Sequence, residues 1–273
     1  MRIGCVQTNP IFADIEANLR SFEKSVIAAD ADLLVFPELA LTGYFFNSKD
    51  QAMPCSAPLG GALFERISEI ARKNDVAIIT GFLESSGNQL FNSSLAFDKN
   101  GKLVGHYRKT HLFYYEKIVF TPGNLGFPVF AITLRDGESV NVGMEICYDW
   151  RFPEVTRSLV LKGANVIAIP SNIVTTTGML LSTLQVRAFE NKVIIAFADR
   201  VGSESSQVAE KFEHLNFRGE SCIVNYNGDI LALGSKSEES TTYADVLPND
   251  TRYKNINIFN NIIEDMRPNI YFT

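Results

Sequence analysis

The chain has 273 residues, 46% of them hydrophobic and 21% charged, with a formal net charge of −6. That balance fits a globular protein with a full core, and the length suits one large α/β domain or two small ones. The acidic charge and the absence of a basic run argue against nucleic acid or an anionic membrane as partners. The polar start and the lack of an uninterrupted apolar span exclude a secretory signal or a transmembrane helix in this sequence, so a cytoplasmic location is expected.

In chain order, Arg2 to Gln7 reads as a buried strand and is followed by helical spacing at Leu19, Phe22 and Val26. An apolar run from Ala31 ends in Pro37 and Glu38. A second helical spacing, Leu63, Ile67 and Ile70, leads to a strand over Val76 to Phe82. Ser94 to Val104 then forms a hairpin around Asn100-Gly101, a strong short-range hairpin signal. The same series recurs further on. Asn141 to Ile146 parallels the first strand, Ala164 to Ser171 the second and Val193 to Ala198 the third. Ser221 to Leu231 repeats the hairpin around Asn227-Gly228. Helices alternating with strands imply largely parallel pairing with both strand faces buried. With no Pro/Gly/Ser linker between the halves, the expectation is a single domain over 1–273. It would be a four-layer α-β-β-α sandwich of two internally similar halves. Two segments fall outside the repeat. Residues 202–216 read as a polar insertion, a surface loop or lid. The apolar tail, 246–273, reads as a segment that docks on a neighbour or a partner subunit.

The cysteines are Cys5, Cys55, Cys147 and Cys222. They form no C-x-x-C pair and have no metal-ligand spacing with His106, His111 or His214, so no metal site and no disulfide framework are expected. Cys5 and Cys222 lie in strand-like runs and read as small buried hydrophobes, and Cys55 reads as a loop residue.

The chemistry gathers around Cys147, at the end of a buried strand and before a turn and a helix opening at Pro153. A thiol facing a helix N-terminus is expected to favour the thiolate, although free cysteines are also often buried and inert. Glu38, at the mouth of an apolar strand, is suited to proton transfer, but the local pattern by itself fits an exposed strand-end carboxylate, or one capping a turn before Gly43, better. Lys109 could stabilise an oxyanion and a neighbouring thiolate, or simply reach solvent from an edge strand. Glu116 could orient a substrate amide or the lysine, or start a helix in water. Glu145 is expected to share the Cys147 face and to be paired with a cation, while Met144 and Ile146 face the core.

Taken together, three motifs in this order resemble the nitrilase superfamily of carbon–nitrogen hydrolases: Phe36 to Leu39, Tyr107 to Phe113 with Glu116, and Ile146 to Glu154. Gly123, the run Arg187 to Asn191 and the run Arg267 to Tyr271 extend the resemblance over essentially the whole chain. It implies an α-β-β-α fold, a dimer or larger homo-oligomer, and no metal or organic cofactor. It also implies a triad with Glu38 as general base, Lys109 as cationic stabiliser and Cys147 as nucleophile. Glu116 would help position substrate, and the Tyr148 backbone N–H would complete the oxyanion hole. Cys147-Tyr148-Asp149 is similar to amidases and carbamoylases of this superfamily, which favours an amidase acting on a small aliphatic amide through a thioester. Tyr44, His111 to Lys117, Asp149-Trp150 and Ala198 to Gly202 also resemble an archaeal-type branch of aliphatic nitrilases. A nitrilase acting on aliphatic (di)nitriles is therefore the alternative, with an N-carbamoyl amidohydrolase beside it. The expected pocket walls are Tyr44, Tyr115, Trp150, Asn172 and Ile173, with Arg151 and Arg200 as candidates for reading a substrate carboxylate. Two other classes compete: a Cys-His thiol hydrolase using His106 or His111, and a non-catalytic scaffold, which would have lost a triad member.

Overall fold

A computed structural model of the chain describes residues 1–174, 178–208 and 211–271. The first half contains β1 (Arg2–Gln7), α1 (Ile15–Ala28), β2 (Leu33–Val35), α2 (Lys49–Ala52), α3 (Ala62–Lys73), β3 (Ala77–Ser86), β4 (Gln89–Phe97), β5 (Leu103–Arg108) and α4 (Glu116–Val119). The second contains β6 (Val129–Thr133), β7 (Ser139–Met144), α5 (Pro153–Leu161), β8 (Val166–Ser171), α6 (Leu180–Asn191), β9 (Ile194–Asp199), β10 (Ser203–Val208), β11 (Lys211–Asn216), β12 (Cys222–Val224), β13 (Ile230–Leu233) and β14 (Ser240–Asp245).

Two six-stranded sheets form, ordered β14-β1-β2-β3-β4-β5 and β13-β12-β9-β8-β7-β6. The repeat read from the sequence maps strand onto strand. In each half three strands run parallel, β1-β2-β3 and β7-β8-β9, and an antiparallel pair extends them. Even the irregularities match, with a register shift between Ala96 and Phe97 and another between Ile223 and Val224.

Strand alternation sorts the first sheet's side chains between two cores. Ile3, Cys5, Leu33, Val35, Ala77 and Ile79 point to the second sheet. Val6, Leu34, Ile78, Leu95 and Phe97 point outward onto α1 and α3, where Leu19, Phe22, Val26, Ile67 and Ile70 meet them. Helix α1 begins where Asp14 Oδ1 accepts the Ala17 N–H at 3.0 Å, an N-cap that satisfies one open donor. Helices α5 and α6 cover the second sheet through Val155, Leu159, Leu184 and Ala188. The layers are therefore helix, sheet, sheet, helix.

Two expectations are corrected here. Residues 203–208 and 211–216 are paired antiparallel strands rather than a loop, with β10 and β11 in register from Ser203–Asn216 to Val208–Lys211; residues 209 and 210 lie outside the described residues. Their polar residues are legible only in three dimensions, because buried Glu204 accepts the backbone N–H groups of Tyr44 and Phe45. Cys55 lies in a 3₁₀ turn and is buried. The tail is tied down at its start, where Val246 N donates to Met1 O at 2.9 Å, yet Ile258 and Phe259 are 87% and 86% exposed. Residues 272 and 273 of that tail lie outside the described residues. Among the described residues no helix is long and apolar enough to cross a membrane.

Candidate active site

Glu38, Lys109, Cys147 and Asn172 each follow the C-terminal end of a strand: β2, β5, β7 and β8. Because β5 is antiparallel to β4 and β4 to β3, β5 runs with the parallel strands and ends on the same edge. The two similar halves thus deliver these side chains to one place.

The backbone around Glu38 is pressed against β3. A Cβ at Gly81 would lie 2.2 Å from Leu39 N and 2.6 Å from Glu38 Cα, so only glycine fits this approach. Lys109 is fixed at both its amide groups, with its N–H donating to Asn92 O and its carbonyl accepting from Gly123 N, each at 2.8 Å. Glu116 opens α4, and its Oε2 accepts the Phe113 N–H at 2.9 Å.

The Lys109 ammonium lies between two carboxylates, 2.6 Å from Glu38 Oε1 and 2.7 Å from Glu116 Oε1. Asn92 Nδ2 donates a further bond to Glu38 Oε1 at 2.6 Å, and Glu38 Oε2 has no hydrogen-bond partner among the described residues. All three ionisable side chains are buried, which overturns the solvent-facing readings of each. Burial alone would lower the Lys109 pKa, but Glu116, Glu38 and Cys147 outweigh it and hold the ammonium above its usual value. Burial raises the Glu116 carboxyl, with Lys109 pulling it down and Glu38 pushing it up.

Cys147 adopts φ +45°, a left-handed conformation rare outside glycine, at the start of a 3₁₀ turn over Cys147–Arg151. Its Sγ lies 3.8 Å from Asn172 O, and Asn172 Nδ2 donates to the Glu38 carbonyl at 2.8 Å, linking both halves. The expected thiolate is not favoured in the resting site. Burial raises the thiol pKa well above its ordinary value; Glu38 adds to this and Lys109 opposes it. Desolvation of the charged form is the largest cause. Glu145 is also corrected. It is fully buried and forms no ion pair among the described residues: Thr156 Oγ1 donates to its Oε1 at 2.6 Å, and burial pushes its carboxyl up to about 8 against the weaker pull of Arg187.

A cavity of about 40 Å³ opens on Cys147, lined by Phe113, Tyr148, Trp150, Arg151, Asn172, Ile173 and Val174. It has room for roughly three water-sized groups. Trp150, Asn172 and Ile173 line it as expected. Tyr44 and Tyr115 do not. Tyr44 is buried against the catalytic cluster, where burial, then Glu116, Glu38 and Cys147, raise its hydroxyl pKa, and it hydrogen-bonds Glu116. Tyr115 turns away to donate to Glu213 Oε1 of β11 at 3.1 Å. Arg200 is buried and paired with Glu204, so it cannot meet a substrate carboxylate, whereas Arg151 stands at the cavity wall.

Sequence reasoning missed Phe113, Val174 and Asn92. Asn92 did leave a signal, since Asn92-Ser93-Ser94 is a polar run inside an otherwise apolar strand. His106 and His111 are turned to Glu84 and Asp149, at 2.8 and 2.7 Å, and line no part of the cysteine cavity. Among the described residues, no group of three or more His, Cys, Asp or Glu is placed to hold a metal ion.

A four-layer sandwich that gathers a thiol, an ammonium and two carboxylates beside one small cavity has the architecture of a hydrolase for small molecules. The sequence profile of the carbon–nitrogen hydrolases matches residues 2–253. The chain is 37% identical over 276 residues to a protein named nitrilase from Pyrococcus abyssi, covering 100% of this chain and 99% of that one. It is 32% identical over 241 residues to an (R)-stereoselective amidase of Pseudomonas sp, covering 87% and 82%. It also resembles a cysteine-to-alanine mutant of the amidase from Nesterenkonia sp. AN1 solved in complex with butyramide. That match has a TM-score of 0.76 and 25% identity over 92% of each chain. The chain belongs to the carbon–nitrogen hydrolase family, within the nitrilase superfamily, and is an enzyme of that class.

Proposed function

We propose that the enzyme is an amidase that hydrolyses a small aliphatic amide through a thioester on Cys147 and releases ammonia. The observation that carries this reading is the buried cluster of Lys109, Glu38 and Glu116 around the thiol, opening on a small and largely apolar cavity. Because the resting thiol holds its proton, attack needs a base. Glu38 is that base: its Oε2 is buried without a hydrogen-bond partner among the described residues, and its charge is felt at the thiol. As Cys147 Sγ adds to the amide carbon, Lys109 and the Tyr148 N–H stabilise the oxyanion. Tyr148 sits in the first turn of the 3₁₀ segment, where leading N–H groups lack an intrahelical acceptor. Glu38 passes the proton to the leaving ammonia, and water activated by the same carboxylate then cleaves the thioester. Glu116 holds the same ammonium through its Oε1 at 2.7 Å. Phe113, Trp150, Ile173 and Val174 give the acyl group an apolar wall, which favours a short chain.

Nitrile hydrolysis is the second reading, favoured by the full-length similarity to the Pyrococcus abyssi protein named nitrilase. A panel of short amides, nitriles, dinitriles, ω-amides and N-carbamoyl compounds, assayed for ammonia with Cys147→Ala as blank, separates the two. Amides should give the highest kcat/KM; a nitrile turned over faster than every amide would replace the first reading with the second. The proposal includes a cytoplasmic location and a homodimer or larger homo-oligomer. The exposed apolar side chains Leu161, Val186 and Phe189 on α5 and α6, with Ile258 and Phe259 of the tail, support such an assembly.

A further inference from the structure

We propose that Asp149 is a positioning residue that locks the turn carrying Cys147 to the segment carrying Lys109, an inference that rests on the Cys147–Lys109 chemistry above. Asp149 is fully buried and lines no part of the cysteine cavity. Both of its oxygens are spent on donors from two separate segments. Oδ2 accepts the Ile146 N–H at 2.9 Å and the Tyr107 hydroxyl at 2.7 Å. Oδ1 accepts the His111 N–H at 3.2 Å and faces His111 Nδ1 at 2.7 Å. Tyr107 and His111 stand two residues on either side of Lys109, and Ile146 immediately precedes Cys147. The Asp149 N–H closes the turn by donating to Ile146 O at 3.1 Å. This arrangement does two things. It holds the left-handed backbone of Cys147, a conformation that persists only when its surroundings fix it. It also sets the separation of thiol and ammonium across about 40 residues of chain. The His111 ring, stacked on Phe152 at 3.8 Å, is held in the same brace from outside. The aspartate of the Cys147-Tyr148-Asp149 sequence thus acts on catalytic geometry, and substrate choice belongs to the residues that face the cavity.

Burial, Glu38 and Glu116 oppose the thiolate, while Lys109 and a backbone contact with Asn172 favour it, and Tyr44 faces the same thiol. If the brace is lost, Lys109 and Cys147 drift apart and the thiol becomes harder to ionise. The test is iodoacetamide labelling of Cys147 in the full chain, followed by peptide mapping across pH. Asp149→Asn and Tyr107→Phe are compared with wild type at a temperature where circular dichroism shows each folded. Asp149→Asn should slow Cys147 labelling near neutral pH by about tenfold or more, and the midpoint of its pH profile should move upward. Tyr107→Phe, which removes one donor without changing charge, should produce a smaller shift in the same direction. A folded Asp149→Asn whose labelling profile superimposes on that of wild type overturns the proposal. If Asp149→Asn does not fold, an unchanged profile in Tyr107→Phe overturns it. Labelling does not depend on the substrate, so a wild-type protein that labels at Cys147 but hydrolyses no amide removes the amidase reading and leaves this one standing.

Discussion

Lys109 Nζ lies 2.6 Å from Glu38 Oε1, and neither side chain is exposed to solvent. A buried pair of this kind contributes little net stability while whole, but removal of one partner strands the other charge. Here the stranded charges would be two carboxylates, Glu38 and Glu116, both within contact of the same ammonium. Lys109→Ala should therefore abolish turnover and cost about 3–5 kcal/mol of stability, measured by urea unfolding. A Lys109→Ala protein with wild-type stability and measurable kcat would contradict the electrostatic account of the cluster.

Glu38→Gln separates structure from chemistry. The amide oxygen can still accept from Lys109 and Asn92, so the fold should hold, but the base is gone. The kcat should fall by about a hundredfold or more with a melting temperature close to wild type. Retained activity in this variant would move the base elsewhere.

Gly81→Ala tests how closely the backbone is packed beneath Glu38. The added methyl would collide with the backbone of Glu38 and Leu39, both rigid, rather than with a flexible side chain. A loss of about 1–3 kcal/mol, or more, is expected together with a fall in kcat, because relief of the clash must move Glu38. Wild-type kinetics in Gly81→Ala would show that the strand end is more compliant than its geometry implies.

Glu145 makes stability depend on pH with a defined sign. Burial raises its folded carboxyl to about 8, so near neutrality the folded protein keeps a proton that the unfolded chain releases. Its contribution is present below the ordinary carboxylate range and is lost as the pH rises toward 8. Glu145→Gln keeps an acceptor for Thr156 and removes the titration. The melting temperature of the variant relative to wild type should increase between about pH 5 and about pH 8. A difference that stays constant over that range would count against a buried neutral Glu145.

The repeat in the sequence and the fold correspond strand by strand because each strand carries its own local signal, an apolar run bounded by turn residues. The reactive groups were legible for a different reason. The strand-end setting of Glu38, Lys109 and Cys147 left each open on its own, and it was their order within three motifs resembling the nitrilase superfamily that singled them out. What could not be read depends on distant pairs. Glu204 meets Tyr44 across 160 residues and Glu213 meets Tyr115 across 98, so nothing local in 202–216 distinguishes a braced strand pair from a solvated loop. The same separation turned Tyr115 out of the expected pocket, while Phe113, two residues earlier, turned in. The raised thiol pKa of Cys147 was not legible because the desolvation that is its largest cause depends on the packing of the whole site.

The central claim is that Cys147 carries the acyl group. Acid quenching of turnover with a short aliphatic amide, followed by peptide mass mapping, tests it most directly. The account predicts one acyl adduct on the peptide containing Cys147, lost in Cys147→Ala together with ammonia release. An adduct on any other residue, or undiminished ammonia release by Cys147→Ala, would contradict it.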